Sequence, residues 1–209
     1  MAGPTPIVAG ERVILSAPER DHFVGRWELF NDPLLCMWLG SPALANGPQT
    51  RTMPPITREH REALYQDHVA RRLLCFDVRL RDSDARCVGE AYLRDLTWPR
   101  ASGELAVAIL APEDRGEGFG LEAATLLCAY AFDGLGLNRV WSRFPTDNAA
   151  AAAAANRLGQ GMGWRQVGVE RESEWVLGRH GDAALWELLR SDFPPHPATA
   201  ELRTPPGQP

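Results

Sequence analysis

The sequence predicts a single α+β domain with a central, mixed and mostly antiparallel sheet that helices flank. Short apolar runs of strand length alternate with longer segments in which apolar residues recur at helical spacing. Residues 72–110 contain three strand-like runs separated by polar turns, which is typical of an antiparallel meander. A chain of 209 residues with 44% hydrophobic content is long enough to bury one sizeable core.

Each predicted element rests on a local signal. Residues 11–16 alternate as a short strand does, and residues 18–31 place three aromatic side chains on one helix face. Thr57 is expected to cap the next helix. The remaining predicted elements are strands at 72–81, 86–96 and 103–110, a helix at 118–132, a strand at 139–144, a helix capped by Asn148 and broken at Gly159, Gly161 and Gly163, and strands at 164–177 and 182–189.

The expected domain boundaries follow composition. Residues 1–9 contain Pro and Gly and are expected to be flexible, and residues 10–193 form the predicted domain. Residues 194–209 are rich in proline and poor in large apolar side chains, which predicts a disordered tail. Residues 34–56 form the least regular stretch inside the domain, and a loop this long is often functional.

Composition excludes several classes of function. A net charge of −5 gives no basic patch for nucleic acid. No apolar run has the length of a signal peptide or a membrane span, so we expect a cytoplasmic protein with no membrane partner. The cysteines have no metal-ligand spacing and are expected to be free thiols: Cys36, Cys75, Cys87 and Cys128. The helical histidines lack neighbouring ligands, so no metal is expected: His22, His60 and His68.

A glycine-rich segment is the strongest chemical signal in the chain. It reads Arg115-Gly116-Glu117-Gly118-Phe119-Gly120 and lies between a predicted strand and a predicted helix. Unpaired N–H groups at a helix N-terminus favour an anion, which predicts a phosphate-bearing ligand at 115–120. The even glycine spacing is not the dinucleotide fingerprint, and a P-loop needs a lysine, whereas all 22 basic residues here are arginine.

This segment resembles the acetyl-CoA pyrophosphate loop of the GNAT acetyltransferases, because Arg115, Gly118 and Gly120 fit Arg/Gln-x-x-Gly-x-Gly/Ala. The run LGLNRVWSRFPTDN resembles the strand and helix cap that follow this loop in the family. GRHGDAALWELLRSDF resembles the closing hairpin of the branch that acetylates ribosomal-protein N-termini. The resemblance covers residues 10–193 approximately.

The resemblance implies a GNAT fold and transfer of an acetyl or other small acyl group from acyl-CoA to a primary amine. The acceptor is a small molecule or a protein N-terminus, and a homodimer is possible. Glu104 is the implied general base, with an inert rim carboxylate as the competing interpretation and Glu90 or Asp147 as other candidates. The implied cosubstrate-binding residues are the pyrophosphate loop (Arg115, Gly116, Glu117, Gly118, Phe119 and Gly120), the strand end that holds the pantetheine arm and polarises the thioester (Ile109 and Leu110), and Asn148. Residues 38–56 are expected to shape the acceptor pocket.

Two departures from the family pattern leave alternatives open. Ala151 and Ala155 stand where relatives carry a Ser or a Tyr that could protonate the departing thiolate, and their small size leaves room for larger acyl groups. The expected Leu-Gly-aromatic run is interrupted, since Gln160 follows Gly159 and an aromatic appears only at Trp164. A catalytically silent CoA-binding protein and a nucleotide-binding protein of another family are therefore the rival hypotheses.

Overall fold

The described residues of the computed structural model, 5–32, 55–82, 84–176 and 179–203, form one eight-stranded sheet. The strand order is β1-β2-β3-β4-β5-β6-β8-β7, and every neighbouring pair is antiparallel except β5 and β6, which are parallel. This confirms the predicted α+β class and the mixed, mostly antiparallel sheet. The strands are β1 (Pro6–Ala9), β2 (Val13–Ser16), β3 (Leu74–Leu80), β4 (Cys87–Thr97), β5 (Ser102–Ile109), β6 (Arg139–Pro145), β7 (Arg165–Val176) and β8 (Arg179–Leu189).

Helices cover both faces of the sheet. The α-helices are α1 (Arg20–Gly25), α2 (Arg58–Val69), α3 (Phe119–Ala129) and α4 (Ala149–Met162). Thr57 caps α2 as predicted, since its hydroxyl accepts from the His60 N–H. Helix α3 continues into a π-helical turn at Tyr130–Gly134. No helix within the described ranges is long and apolar enough to cross a membrane.

The two faces of the sheet bury cores of different size. Helices α3 and α4 pack on the larger core, which includes Leu127, Phe132 and Trp164. Helices α1 and α2 pack on the opposite face through a smaller cluster that includes Phe23 and Leu64. Side chains alternate between the faces along each strand, so neighbouring residues of β5 serve opposite sides of the domain.

The structure differs from the prediction at both ends of the domain. Pro6–Ala9 forms an edge strand against β2 although residues 1–9 were expected to be flexible. A proline is tolerated at the first position of an edge strand, so Pro6 does not prevent pairing. At the other end, Pro197–Arg203 forms a helical segment, and the buried Thr199 hydroxyl donates to Asp133 at 2.6 Å. This long-range contact orders part of the predicted disordered tail.

Two helix predictions also need correction. The predicted helix 18–31 is α1 followed by a 3₁₀ helix at Arg26–Asn31. Helix α4 passes through Gly159 and Gly161 and ends at Gly163, whose φ of 86° is the left-handed C-cap conformation. Residues 1–4, 33–54, 83, 177–178 and 204–209 lie outside the described residues, as do Cys36 and nearly all of the predicted acceptor segment 38–56.

One irregularity of the sheet positions the site. Strands β5 and β6 pair only where Ser102–Glu104 meets Arg139–Trp141. Beyond Glu104 the two strands diverge, while β5 stays paired with β4 and β6 with β8. We call this divergence between residues 105–109 and 142–145 the seam. Among the described residues, it leaves one edge of β5 without a neighbouring strand.

Candidate active site

A cavity of about 670 Å³ fills the seam. Strand β5 forms one wall and β6 another, while the start of α3 and one side of α4 complete it. Its volume lies in the range of small-molecule and cofactor sites. The lining is mostly apolar or small, and its charged members are Arg94, Glu104, Asp114, Arg115, Arg143 and Arg157.

The backbone of β5 presents hydrogen-bonding groups to the seam. The Leu110 N–H donates to Val88 O of the β4 side at 3.0 Å. Because pairing directions alternate along an antiparallel ladder, the N–H groups of Leu105, Val107 and Ile109 point the other way, toward the seam. The Leu110 N–H is thus already paired within the sheet, and of the two predicted strand-end residues Ile109 is the one whose N–H faces the seam.

The glycine-rich loop opens α3 at one end of the cavity. Gly116 and Gly118 have φ values of 85° and 87°, a left-handed conformation that costs other residues energy. Gly118 is the N-cap of α3. Within the described part of the chain, the N–H groups of Gly118, Phe119 and Gly120 have no hydrogen-bond acceptor. They therefore form a donor cluster at the positive end of the helix dipole.

Arg115 contributes structure to this loop through its side chain, and Glu117 does so through its backbone carbonyl. The Arg115 guanidinium donates to the carbonyl of Leu110 at 2.6 Å and to that of Ile109 at 3.2 Å, and it pairs with Asp32 at 3.0 Å. The Glu117 carbonyl accepts from the Arg12 guanidinium at 2.6 Å. That guanidinium also lies 4.5 Å from the Phe119 ring centre. Arg115 thus ties the loop to the end of β5, and Arg12, the residue before β2, contacts it from the other side.

Asn148 lies on the opposite wall at the start of α4. Its Oδ1 accepts from the Ala151 N–H at 3.0 Å, which makes it the helix N-cap. Its side chain is buried and lines the cavity. The amide nitrogen has no partner among the described residues and is a donor, so one side chain both starts α4 and offers a hydrogen bond to a ligand.

Glu104 lines the cavity and is the last residue of β5 that pairs with β6. It is only 5% exposed, and both its carboxylate oxygens accept from Arg94 across the β4–β5 hairpin, at 2.6 Å and 2.9 Å. Burial acts to lower the pKa of Arg94, and the Glu104 carboxylate overrides this effect, so the pKa is raised. The carboxylate of Glu104 thus lies at the seam in a bidentate pair with Arg94 that the sequence did not reveal.

The other two candidate carboxylates lie apart from the cavity lining. Glu90 is fully buried and bonds to Arg26 at 2.7 Å, to Arg61 at 2.6 Å, and to the Tyr92 hydroxyl. Asp147 pairs with Arg179 at the surface at 3.0 Å. Neither carboxylate is available to an amine in the seam.

The described cysteines are poor nucleophiles. Burial raises the pKa of Cys87 to about 11 and that of Cys128 to about 12, and the pKa of Cys75 is also raised by burial. A thiol needs its thiolate form to attack. Among the described residues, no group of three His, Cys, Asp or Glu side chains could hold a metal ion.

Helix α4 extends three residues beyond Gly159, to Met162. Trp164, which follows shortly after its end, is buried in the core and lines the cavity. Ala151 and Ala155 line the cavity as well. Ser142 of β6 is the one hydroxyl-bearing side chain in the described lining.

Several residues of the candidate site were not predicted from the sequence. Arg94 could have been found from the hairpin register, because it lies directly opposite Glu104. The seam-facing amides of Leu105 and Val107 follow from the same register. Arg12 had no local signal, since it contacts a loop 105 residues away.

Comparison with known proteins agrees with this geometry. The family model described as "Acetyltransferase (GNAT) domain" matches residues 12–160, which is more than half of the chain. The uncharacterised N-acetyltransferase YoaA of Bacillus subtilis (strain 168) is 28% identical over 128 residues, covering 61% of this chain and 67% of YoaA.

Solved structures share the fold. A spermidine N-acetyltransferase from Vibrio cholerae, crystallised with CoA and spermine, superposes with a TM-score of 0.73 at 22% identity, over 86% of this chain and 96% of that one. A probable acetyltransferase superposes with a TM-score of 0.71 at 23% identity, over 88% and 96% of the two chains. The divergent strands, the donor loop and the family match lead to one conclusion: this chain belongs to the GNAT acetyltransferase family, whose members transfer acyl groups from acyl-CoA to amines.

Proposed function

We propose that this N-acyltransferase binds acyl-CoA along the seam and acylates a primary amine that approaches Glu104. The observation that carries this proposal is the meeting of two donor sets in one cavity. The unpaired edge of β5 supplies amides directed at a linear ligand, and the N-terminus of α3 supplies amides directed at an anion. A pantetheine arm linked to a pyrophosphate matches both.

In this proposal the loop N–H groups of Gly118, Phe119 and Gly120 hold the pyrophosphate. The β5 amides of Leu105, Val107 and Ile109 pair with the pantetheine amides or polarise the thioester carbonyl, as backbone donors do for developing oxyanions. The Asn148 amide adds a donor from the opposite wall. Arg115, Gly116 and Glu117 act by shaping the loop.

The chemistry then needs one proton acceptor. The neutral amine attacks the thioester carbon, the C–N bond forms, the C–S bond breaks, and the sulfur leaves as a thiolate. The attacking nitrogen loses its proton to Glu104, either directly or through a water molecule. Ser142 is the side chain that can donate a hydrogen bond to the departing sulfur, since Ala151 and Ala155 carry no hydroxyl.

Replacing Glu104 tests this assignment. Thermal stabilisation by acetyl-CoA should be equal in the wild type and in Glu104→Gln, because the glutamine carbonyl still accepts one of the two Arg94 hydrogen bonds. Thiol release with a reactive amine should fall about 100-fold at pH 7, a typical contribution of a general base, and less at pH 9. Asp147→Asn is the matched control and should retain full activity. An unchanged pH profile in Glu104→Gln would remove Glu104 from the role.

A silent CoA-binding protein is the second candidate function. Two observations favour it: Arg94 donates hydrogen bonds to both Glu104 oxygens, and Ala151 and Ala155 carry no hydroxyl that could protonate the thiolate. Stabilisation by CoA without thiol release on any amine would select it. The ribosomal-protein branch, the homodimer and the cytoplasmic location remain predictions from the sequence.

A further inference from the structure

We propose that the acyl group of the cosubstrate is an uncharged aliphatic chain longer than acetyl. Its chain lies on the α3/α4 side of the seam, and the amine approaches from the other side. This inference rests on the proposed function and names the acyl class of that same site. It follows from the row of the sheet at which the seam closes and from the apolar side chains around that row.

The closed end of the seam is one row of residues across the sheet. The row contains, in spatial order, Glu104 of β5, Trp141 of β6, Glu187 of β8 and Arg165 of β7. In the proposed binding mode the pyrophosphate is held at the start of α3, and the pantetheine arm follows β5 from Ile109 back to this row. Those five residues of strand span about 17 Å. The thioester therefore lies beside the closed end, and its acyl group must be accommodated there.

On the side of α3 and α4, apolar side chains border the closed end. Side chains alternate along a strand, so Leu105 points away from Glu104 and into the larger core. Ser142 is the corresponding residue of β6, and Trp186 lies directly opposite it on β8 and belongs to the same core. Trp164, the residue before β7, is a member of that core too. The sheet therefore separates the Glu104 carboxylate from an apolar wall.

This wall is open to the cavity. Six members of the larger core line the cavity and keep 5–8% exposure: Leu105, Phe144, Ala155, Leu158, Trp164 and Trp186. By contrast, Leu127 and Leu137, which belong to the same core but not to the lining, keep 0%. The cavity therefore extends from the seam into the core, and we call the part that these six side chains border the acyl compartment.

The charged side chains of the described lining lie away from the acyl compartment. Some share the sheet face of Glu104, some belong to the segment before α3, and one is an exposed residue of α4: Arg94 and Arg143, Asp114 and Arg115, and Arg157, respectively. An acyl chain that ends in a charge would bring that charge against apolar walls, and burying an unpaired charge is costly. The compartment therefore favours an uncharged chain.

The two sides of the sheet suit the two partners of the reaction. The amine attacks the thioester carbon from the face that carries Glu104, the C–N bond forms, and the C–S bond breaks as the thiolate leaves. The acyl chain stays bonded to the reacting carbon throughout. A chain that lies in the acyl compartment is out of the path of the amine and need not move during the transfer.

Isothermal titration of the whole protein with CoA, acetyl-CoA, butyryl-CoA and succinyl-CoA tests the inference. Burying one methylene group strengthens binding roughly fourfold, so butyryl-CoA should bind about tenfold more tightly than acetyl-CoA. Succinyl-CoA, whose chain matches butyryl in length but ends in a carboxylate, should bind no more tightly than acetyl-CoA.

Filling the acyl compartment should abolish the preference for butyryl-CoA. Ala155→Leu adds a branched side chain there and should bring the ratio of the butyryl-CoA and acetyl-CoA affinities close to one. Ala155→Val adds less bulk, should shift the ratio in the same direction, and serves where the leucine prevents folding. Asn156→Leu is the matched control, because Asn156 is exposed and outside the cavity lining, and it should keep the wild-type ratio.

Contrary results separate this inference from the proposed function. Three results would overturn it: butyryl-CoA that binds the wild type no more tightly than acetyl-CoA, succinyl-CoA that binds as tightly as butyryl-CoA, or an unchanged ratio in a folded Ala155 variant. None of these bears on the acyltransferase function, which thiol release decides. A butyryl preference in binding, with no thiol release from either thioester on a panel of primary amines, would refute the proposed function and support the acyl compartment.

Discussion

Substituting the second loop glycine tests how far the backbone at the start of α3 determines cosubstrate binding. Gly118 has a φ of 87°, and a Cβ built there meets its nearest atom, Arg12 Nη1, at 3.7 Å. Space is therefore not limiting in Gly118→Ala, and the cost is conformational. A left-handed residue other than glycine costs about 1–2 kcal/mol, which corresponds to a melting temperature lower by roughly 2–8 °C for a domain of this size.

The same substitution should weaken CoA binding, because relief of the strain rotates the N–H groups that open α3. Isothermal titration with CoA and thermal unfolding measure the two effects separately. Gly120→Ala is the matched control: its φ is not positive, and its Cβ meets Ile109 at 3.4 Å, a contact at the edge of the ordinary range. Alanine is favoured over glycine in a helix by about 1 kcal/mol, so this variant should be at least as stable as the wild type. A Gly118→Ala protein with wild-type stability and wild-type CoA affinity would refute the reasoning.

Two further predictions concern α1 and α2, the helices on the face of the sheet opposite α3 and α4. His68 accepts a hydrogen bond from the Cys75 N–H at 3.1 Å, and burial lowers its pKa. The unfolded chain therefore takes up the proton first as the pH falls below about 6.5, so the melting temperature should drop between pH 7.5 and 5.5. His68→Gln should flatten that drop, whereas the exposed His22→Gln should not. Arg61 is buried against Glu90 and Tyr92, so Arg61→Leu should lower the free energy of unfolding, measured by chemical denaturation, by about 3 kcal/mol. The control is Arg20→Leu, at the exposed Arg20–Glu62 pair between α1 and α2, which should change the melting temperature very little.

The sequence predicted most elements of the fold because their signals are local. Strands β3 to β5 showed apolar runs between polar turns, and Thr57 preceded a helix with its capping hydroxyl. Strand β1 was missed because four residues at Pro6–Ala9 are too few to show alternation. Helix α4 was predicted too short, since glycine lowers helix propensity but the packing of Leu158 and Met162 in the core outweighs that cost.

The candidate site was predictable where it depends on one segment and unpredictable where two segments meet. The glycine-rich segment predicted a turn before a helix, and the structure has one, with Gly116 and Gly118 in the left-handed conformation. The partner of Glu104 depends on which residue of β4 lies opposite, and the partners of Arg115 are carbonyl groups that have no side-chain signal. Leu110 shows the same limit, because one residue of register decides whether an amide faces the neighbouring strand or the seam.

The seam also limits how the two halves of the sheet are connected. Three residue pairs of β5 and β6 join a five-stranded half of the sheet to a three-stranded half. A linear ligand that hydrogen-bonds to β5 and contacts α4 would connect these two halves a second time. In the proposed binding mode the cosubstrate therefore fills the gap between the two halves of the sheet, next to the position proposed for the acceptor amine.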